Sequence, residues 1–239
     1  ISFTKKKLTK KYGNADYKYE VTTNSTGKVV YRSSNTAVAE PDQFGYITIK
    51  KAGSCTITAR VAADANYKSA SAGYQLVVSK KDMTKKKVKL SKTSYIYAGK
   101  NCKPKAVVSG LARSDYKVTY KNADKPGTAI CVITGKGNYS GKIEVPYSIN
   151  LAKTVITKIT NKKSGVSLTW KKVAGAKGYR IYRRTKNGSW KRIRELTSSK
   201  KVSFTDKTAK SGKTYEYRVR AKCNKTYGSY SKKIKLKKK

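Results

Sequence analysis

The chain has 239 residues, of which 37 % are hydrophobic and 10 % aromatic, with 19 Tyr against 3 Phe and 2 Trp. It carries 57 Lys and Arg against 12 Asp and Glu, a formal charge of +45, and no histidine. This composition excludes a thick apolar core, an apolar run of the ~18 residues that span a bilayer, and chemistry that needs imidazole as base or metal ligand.

The chain opens at Ile1 without an initiator methionine, as expected of a processed or excised segment of a longer protein. No stretch shows helical periodicity. Alternation of period two recurs instead, in GYITIK (45–50), CTITARV (55–61), YQLVV (74–78), VSLTW (166–170), GYRIYRR (178–184) and YEYRVRA (215–221). Short alternating runs punctuated by Gly, Asn, Ser and Asp predict an all-β protein of tandem sandwiches. The phrase ANYKSASAGYQLVV (65–78) is echoed by GNYSGKIEVPYSI (137–149) and, more loosely, by YGSYSKKIKL (227–236). Alignment on these closing phrases divides the chain into 1–80, 81–151 and 152–239, joined by short basic segments with little slack. Asn66-Tyr67 and Asn138-Tyr139 are expected to shape the turn before a last strand, with each Tyr plugging one end of a thin core.

In the first unit VVYRSSNTAVAEPDQFGYITIKKAGSCTITARV (29–61) resembles the bacterial immunoglobulin-like group 2 pattern, and KYGNADY (11–17) resembles the YGX signature of MBG-type modules. The second unit resembles an MBG-type module over nearly its whole length. In both, a glycine (Gly53, Gly127) opens a core strand. The third, with GVSLTWKKVAGAKGYRIYRR (165–184) and YEYRVRAK (215–222), resembles fibronectin type III. That resemblance implies that Trp170, Tyr179 and Ile181 are buried and that Tyr215 forms the tyrosine corner. These folds host many roles. The resemblance implies three Ig-like or fibronectin-like sandwiches from the secreted surface proteins of Gram-positive anaerobes.

Catalysis is not expected. The carboxylates are scattered, with no pair at a suggestive spacing, and no nucleophile elbow is present. GKGNYSG (135–141) has the glycines of a phosphate loop but neither its GKS or GKT ending nor a following helix. Cys55, Cys102, Cys131 and Cys223 match no zinc spacing. Each falls on an inward strand position, so four buried free thiols are expected, with a Cys102–Cys131 disulfide as the alternative. No cofactor or metal is implied.

The charge is uneven. The first unit has 13 basic and 5 acidic residues, the second 15 and 4, the third 29 and 3. Seven of the ten arginines lie in the third: Arg180, Arg183, Arg184, Arg192, Arg194, Arg218 and Arg220. If Tyr179 and Ile181 point inward, Arg180, Tyr182 and Arg184 point outward. If Tyr215, Tyr217, Val219 and Ala221 point inward, Arg218, Arg220 and Lys222 point outward. The two strands are neighbours in the resembled fold, so the six should form one ladder, with Lys191, Arg192 or Arg194 beside it. Arginine offers a planar fork of donors to carboxylate, phosphate or sulfate, and an exposed tyrosine stacks on a sugar.

The expected role is therefore a non-catalytic extracellular stalk or adhesion array, held at the cell surface or wall. Its basic third module would bind anionic polymer such as teichoic acid or acidic host glycan. Nucleic acid would bind only non-specifically, through charge. Two alternatives stand beside it. One is a subunit of an extracellular fibre or surface layer that self-assembles through strand edges, with exchange of the N-terminal strand ISFTKKKL. The other is an accessory C-terminal tail of a secreted wall hydrolase or glycosidase. A chance ladder, with edge lysines that discourage sheet-to-sheet aggregation, is the plain structural reading of the same residues.

Overall fold

Every alternating run singled out above becomes a strand, because one side of each faces apolar neighbours. The computed structural model describes all residues from Ile1 to Lys239. Apart from a single 3-10 turn, Arg113–Asp115, its regular elements are all strands.

The first sheet orders Lys7–Lys11, Ala70–Ser79, Gly53–Val61 and Val29–Ser33 side by side. The N-terminal strand runs parallel to Ala70–Ser79, and the other pairs are antiparallel. A smaller sheet of Tyr17–Lys18, Tyr46–Ile49 and Ala39–Pro41 supplies Ala39 and Ile47 to a common core with Cys55, Ile57, Tyr74 and Leu76. Tyrosine fills out that thin core. The Tyr74 ring lies edge-on to Phe3 at 4.9 Å and to Tyr19 at 4.8 Å.

The second set of strands, Ser94–Ile96, Lys142–Asn150, Gly127–Gly135 and Tyr116–Lys121, forms another four-stranded sheet. GKGNYSG leads into the strand Lys142–Asn150. All four cysteines are buried and unpaired, so the thiols at 102 and 131 act as small apolar side chains rather than a disulfide.

The third set closes two sheets over one core. Ile156–Lys162, Gly165–Trp170 and Ser203–Asp206 form the first. Lys191–Leu196, Gly178–Thr185, Thr214–Cys223 and Thr226–Tyr227 form the second, with Ile234–Lys237 pairing Thr214–Tyr217. Trp170, Tyr179, Ile181, Tyr217 and Val219 are buried between them. Trp170 meets Tyr179 edge-on at 5.3 Å. The Tyr215 hydroxyl accepts the backbone N–H of Lys210 at 3.2 Å, which is the bond a tyrosine corner makes. Gly165 sits at φ 138°, and a Cβ there would lie 2.2 Å from the Asp206 carbonyl oxygen, so the hairpin into Gly165–Trp170 admits glycine alone.

The repeated Asn-Tyr phrases differ in use, against expectation. Tyr67 is 48 % exposed and plugs nothing. Its turn is held by Asp64, whose Oδ1 accepts the N–H groups of Asn66 and Tyr67 at 2.9 and 2.8 Å. Tyr139 is half-buried, edge-on to Tyr12 at 5.7 Å. Asn138 Oδ1 accepts the N–H of Ala52 at 2.9 Å. By packing, the chain divides into two compact units. One comprises Ile1–Lys87, Val108–Val118 and Ile133–Ile143. The other comprises Val88–Val107, Thr119–Val132 and Glu144–Lys239.

Candidate polyanion-binding face

The strands Gly178–Thr185 and Thr214–Cys223 pair antiparallel with Arg180 opposite Arg220, Tyr182 opposite Arg218, Gly178 opposite Lys222 and Arg184 opposite Glu216. With Tyr179, Ile181, Val219 and Ala221 committed to the core, Arg180, Tyr182, Arg184, Arg218, Arg220 and Lys222 share the other face. Directly opposed like charges destabilise a sheet, so this ladder needs compensation, and two kinds are present.

The first is carboxylate. Glu195, on the neighbouring strand Lys191–Leu196, accepts from Arg180 Nε at 2.7 Å and Arg192 Nη1 at 3.0 Å, and also bonds the Lys222 ammonium. Glu216 accepts from Arg184 Nε at 2.6 Å and lies 3.1 Å from Lys233 Nζ. The Lys222 bond, with Arg180 behind it, holds the Glu195 carboxyl down at about 2. Arg184 and Lys233 lower Glu216 in the same sense.

The second is aromatic. Trp190 comes from the turn after Gly178–Thr185, and Tyr227 and Tyr230 come from the C-terminal segment. Arg184 lies over Trp190 at 4.8 Å, and Arg218 lies over the same ring at 4.3 Å. Arg218 also meets Tyr230 at 3.7 Å, and Arg220 meets Tyr230 at 4.7 Å and Tyr227 at 4.3 Å. Arg180 completes the stack over Tyr227 at 4.5 Å. The segment is stitched to the strand by its backbone. Gly228 N–H donates to the Ala221 carbonyl at 3.0 Å and Ser231 N–H to the Val219 carbonyl at 2.8 Å. Ser231 Oγ in turn accepts the Val219 N–H at 3.0 Å. Guanidinium groups and rings thus alternate, each cation set over the π-cloud of its neighbours.

This arrangement corrects one expectation. Tyr182 is only 9 % exposed, its ring covered by Arg218, Arg220 and Tyr230, and its hydroxyl accepts from Arg220 Nη2 at 3.0 Å. It is a spacer inside the stack rather than a platform for a sugar. The ladder arginines are likewise half-buried. Arg192 lies beside the ladder as expected, and Lys191 and Arg194 are exposed. Sequence reasoning missed Trp190, Glu195, Glu216, Tyr227 and Tyr230. The three-residue spacing of Tyr227 and Tyr230, set after a strand with arginines every second residue, is the one signal that could have found part of the stack.

Arg183 belongs to the opposite side of its strand. It donates to Asp206 Oδ2 at 2.7 Å and to Thr208 Oγ1 at 2.9 Å, and Tyr217 donates to Asp206 at 2.8 Å. Burial would raise the Asp206 carboxyl, but hydrogen bonds from Thr208, Arg183 and Tyr217 outweigh it and hold the group low. All three carboxylates between 152 and 239 are therefore engaged by the six cations Arg180, Arg183, Arg184, Arg192, Lys222 and Lys233. The other basic residues of that stretch have no carboxylate within it to pair with. Arg218 is the telling case: three rings flank it, its buried Nε has no acceptor, and its side chain makes no hydrogen bond or ion pair.

The fold is all-β, with sheets packed as tandem Ig-like or fibronectin type III-like β-sandwiches. The family model for the intimin immunoglobulin-like domain matches residues 20–64. No curated protein matches the chain in sequence. Among solved structures, the chain is similar to pectate lyase PelI from Erwinia chrysanthemi in complex with tetragalacturonic acid, at 22 % identity and TM-score 0.32, over 36 % of this chain and 28 % of that one. It is similar to the chicken CNTN1 FN1–FN3 domains at 15 % identity and TM-score 0.34, over 81 % of each chain. It is also similar to the titin domains A168–A170 at 13 % identity and TM-score 0.29, over 94 % of this chain and 97 % of that one. The chain thus spans less than a third of the lyase.

Proposed function

We propose that the chain is a non-catalytic extracellular array of three modules, 1–80, 81–151 and 152–239, the first two MBG-type or bacterial Ig-like. In this reading it serves as a surface stalk or adhesion segment whose last module holds anionic cell-wall polymer or acidic host glycan. Hydrogen-bonded sheets ending at Ser79 and Asn150 support the partition. No helix is long and apolar enough to cross a membrane.

The observation that carries the reading is Arg218. Three rings stand within 5.5 Å of its guanidinium carbon, and its side-chain N–H donors have no partner on the protein, so a charge-assisted hydrogen bond to an oxyanion is open to it. Its geometry is set by the stack before any ligand arrives, which reduces the ordering that binding must impose. Arg220, two residues along the same strand and so on the same face, adds a second cation.

The test is titration of the full chain with purified wall teichoic acid and with neutral dextran. Binding should be confined to the acidic polymer and fall as salt rises. Arg218→Gln with Arg220→Gln should weaken it by about tenfold, the loss of a charge-assisted hydrogen bond. An unchanged affinity, or one insensitive to salt, overturns the reading.

A further inference from the structure

A second basic surface lies on the first sheet, far in sequence from the ladder. It is a trough on the outer face, lined by Lys28, Arg32, Thr58, Arg60, Ser69 and Ser71 among others. Tyr74 and Ile57 fill the inner side of the same strands, so alternation sends these residues outward. Register sets their neighbours. Arg60 stands opposite Val30 on one side and Ser71 on the other, and Arg32 stands opposite Thr58, which faces Gly73. Lys28 continues the row, its carbonyl accepting the N–H of Ala62 at 3.0 Å. Arg60 therefore lies diagonally between Lys28 and Arg32 across the strand pair, about 7–8 Å from each.

Nothing on the protein neutralises them. No carboxylate lines the trough, and Lys28, Arg32 and Arg60 make no ion pair or side-chain hydrogen bond. Asp64, in the following loop, is spent on Ser25, Thr26, Asn66 and Tyr67. The floor is low because its residues are small. Thr58, Ala62, Ala63, Ser69 and Ser71 line it between the cations. Three unpaired cations clustered on one face repel each other, and an anion laid along the trough relieves that repulsion.

We propose that this trough binds an acidic glycan chain. Arg32 and Arg60 take its carboxylate or sulfate groups, and Thr58, Ser69 and Ser71 exchange hydrogen bonds with its hydroxyls. Charge complementarity selects an anion. The absence of any aromatic side chain from the lining disfavours nucleic acid, whose bases need a ring to stack on. The site does not depend on the ladder of the third sandwich.

Hydrogen–deuterium exchange on the full chain separates the two sites. A heparin-derived oligosaccharide should protect 28–34, 56–62 and 69–75. Arg32→Gln with Arg60→Gln should abolish that protection, with affinity at this site down about tenfold, while any protection within 178–231 is retained. Protection of the trough unaltered by these substitutions overturns the proposal. So does equal protection by neutral dextran, oligo-dT or polyglutamate. If the ladder alone fails to bind, protection within 178–231 disappears and that of the trough stays.

Discussion

Arg218 and Arg60 occupy comparable positions: each lies on the outward face of a β-sheet with an uncharged side chain on the adjacent strand directly across. Arg218 faces Tyr182 and is half-buried by rings, whereas Arg60 faces Val30 and is exposed to water. The first has surrendered hydration for contacts with Trp190, Tyr182 and Tyr230, and its orientation is fixed. The second keeps its hydration and its freedom. Net charge alone would rank both as equally available cations. The comparison shows that a cation's surroundings decide whether it is a structural part, a preset donor, or a free charge.

The comparison can be broken hardest from inside the third sandwich, where a cation is purely structural. Asp206→Ala leaves Arg183 without its carboxylate and Tyr217 without an acceptor, and should destabilise that sandwich by about 3 kcal/mol. Both tryptophans lie there, so the fluorescence transition in denaturant reports on it directly. A loss below about 1 kcal/mol would mean that the buried pair is not integral to the core.

Next comes the stack itself. Trp190→Ala with Tyr230→Ala removes two of the rings around Arg218 and should destabilise the sandwich by about 1–2 kcal/mol. The Trp170 emission that remains serves as the probe. If stability is unchanged, the rings contribute nothing to holding Arg218 in place.

A pH titration sharpens the role of those carboxylates. Glu195 is held at about 2 against an ordinary 4.5. Its folded value is the lower one, so its contribution is whole above about 4.5 and is lost as pH falls toward 2. Thermal unfolding of the third sandwich should therefore weaken across that window, and Glu195→Gln should flatten the decline. The same slope in the variant would place the acid sensitivity elsewhere, on Glu216 or Asp206.

The smallest effect belongs to the trough. Arg32→Gln with Arg60→Gln should change stability by no more than about 0.5 kcal/mol in either direction, as for exposed residues without partners. Differential scanning calorimetry of the full chain measures it. A loss well beyond that would make these arginines structural and erase the contrast with Arg218.

Much of the fold was legible because a strand writes its two faces into adjacent residues. GYRIYRR and YEYRVRA separate core from surface by alternation, and Trp170, Tyr179 and Tyr215 are found where the fibronectin resemblance places them. The same alternation brought all six ladder residues to one face. It could not show that Tyr182 would be covered, because the covering ring, Tyr230, arrives from a segment that is not a strand at that point. It also credited Tyr67 with a core position, where an Asp64 turn instead leaves the ring in water.

The all-β class, the inward and outward sides of each long strand and the concentration of charge beyond residue 151 can be read from the chain before it folds. These are local properties, set by period, turn chemistry and count. Tertiary structure alone decided which cations are engaged. Glu195 meets Arg180 and Lys222 through strand pairing across 15 and 27 residues of chain. Arg32 stands beside Thr58 only through the pairing of two strands. Such encounters depend on register and on where a non-strand segment docks, and no periodicity in the chain records either.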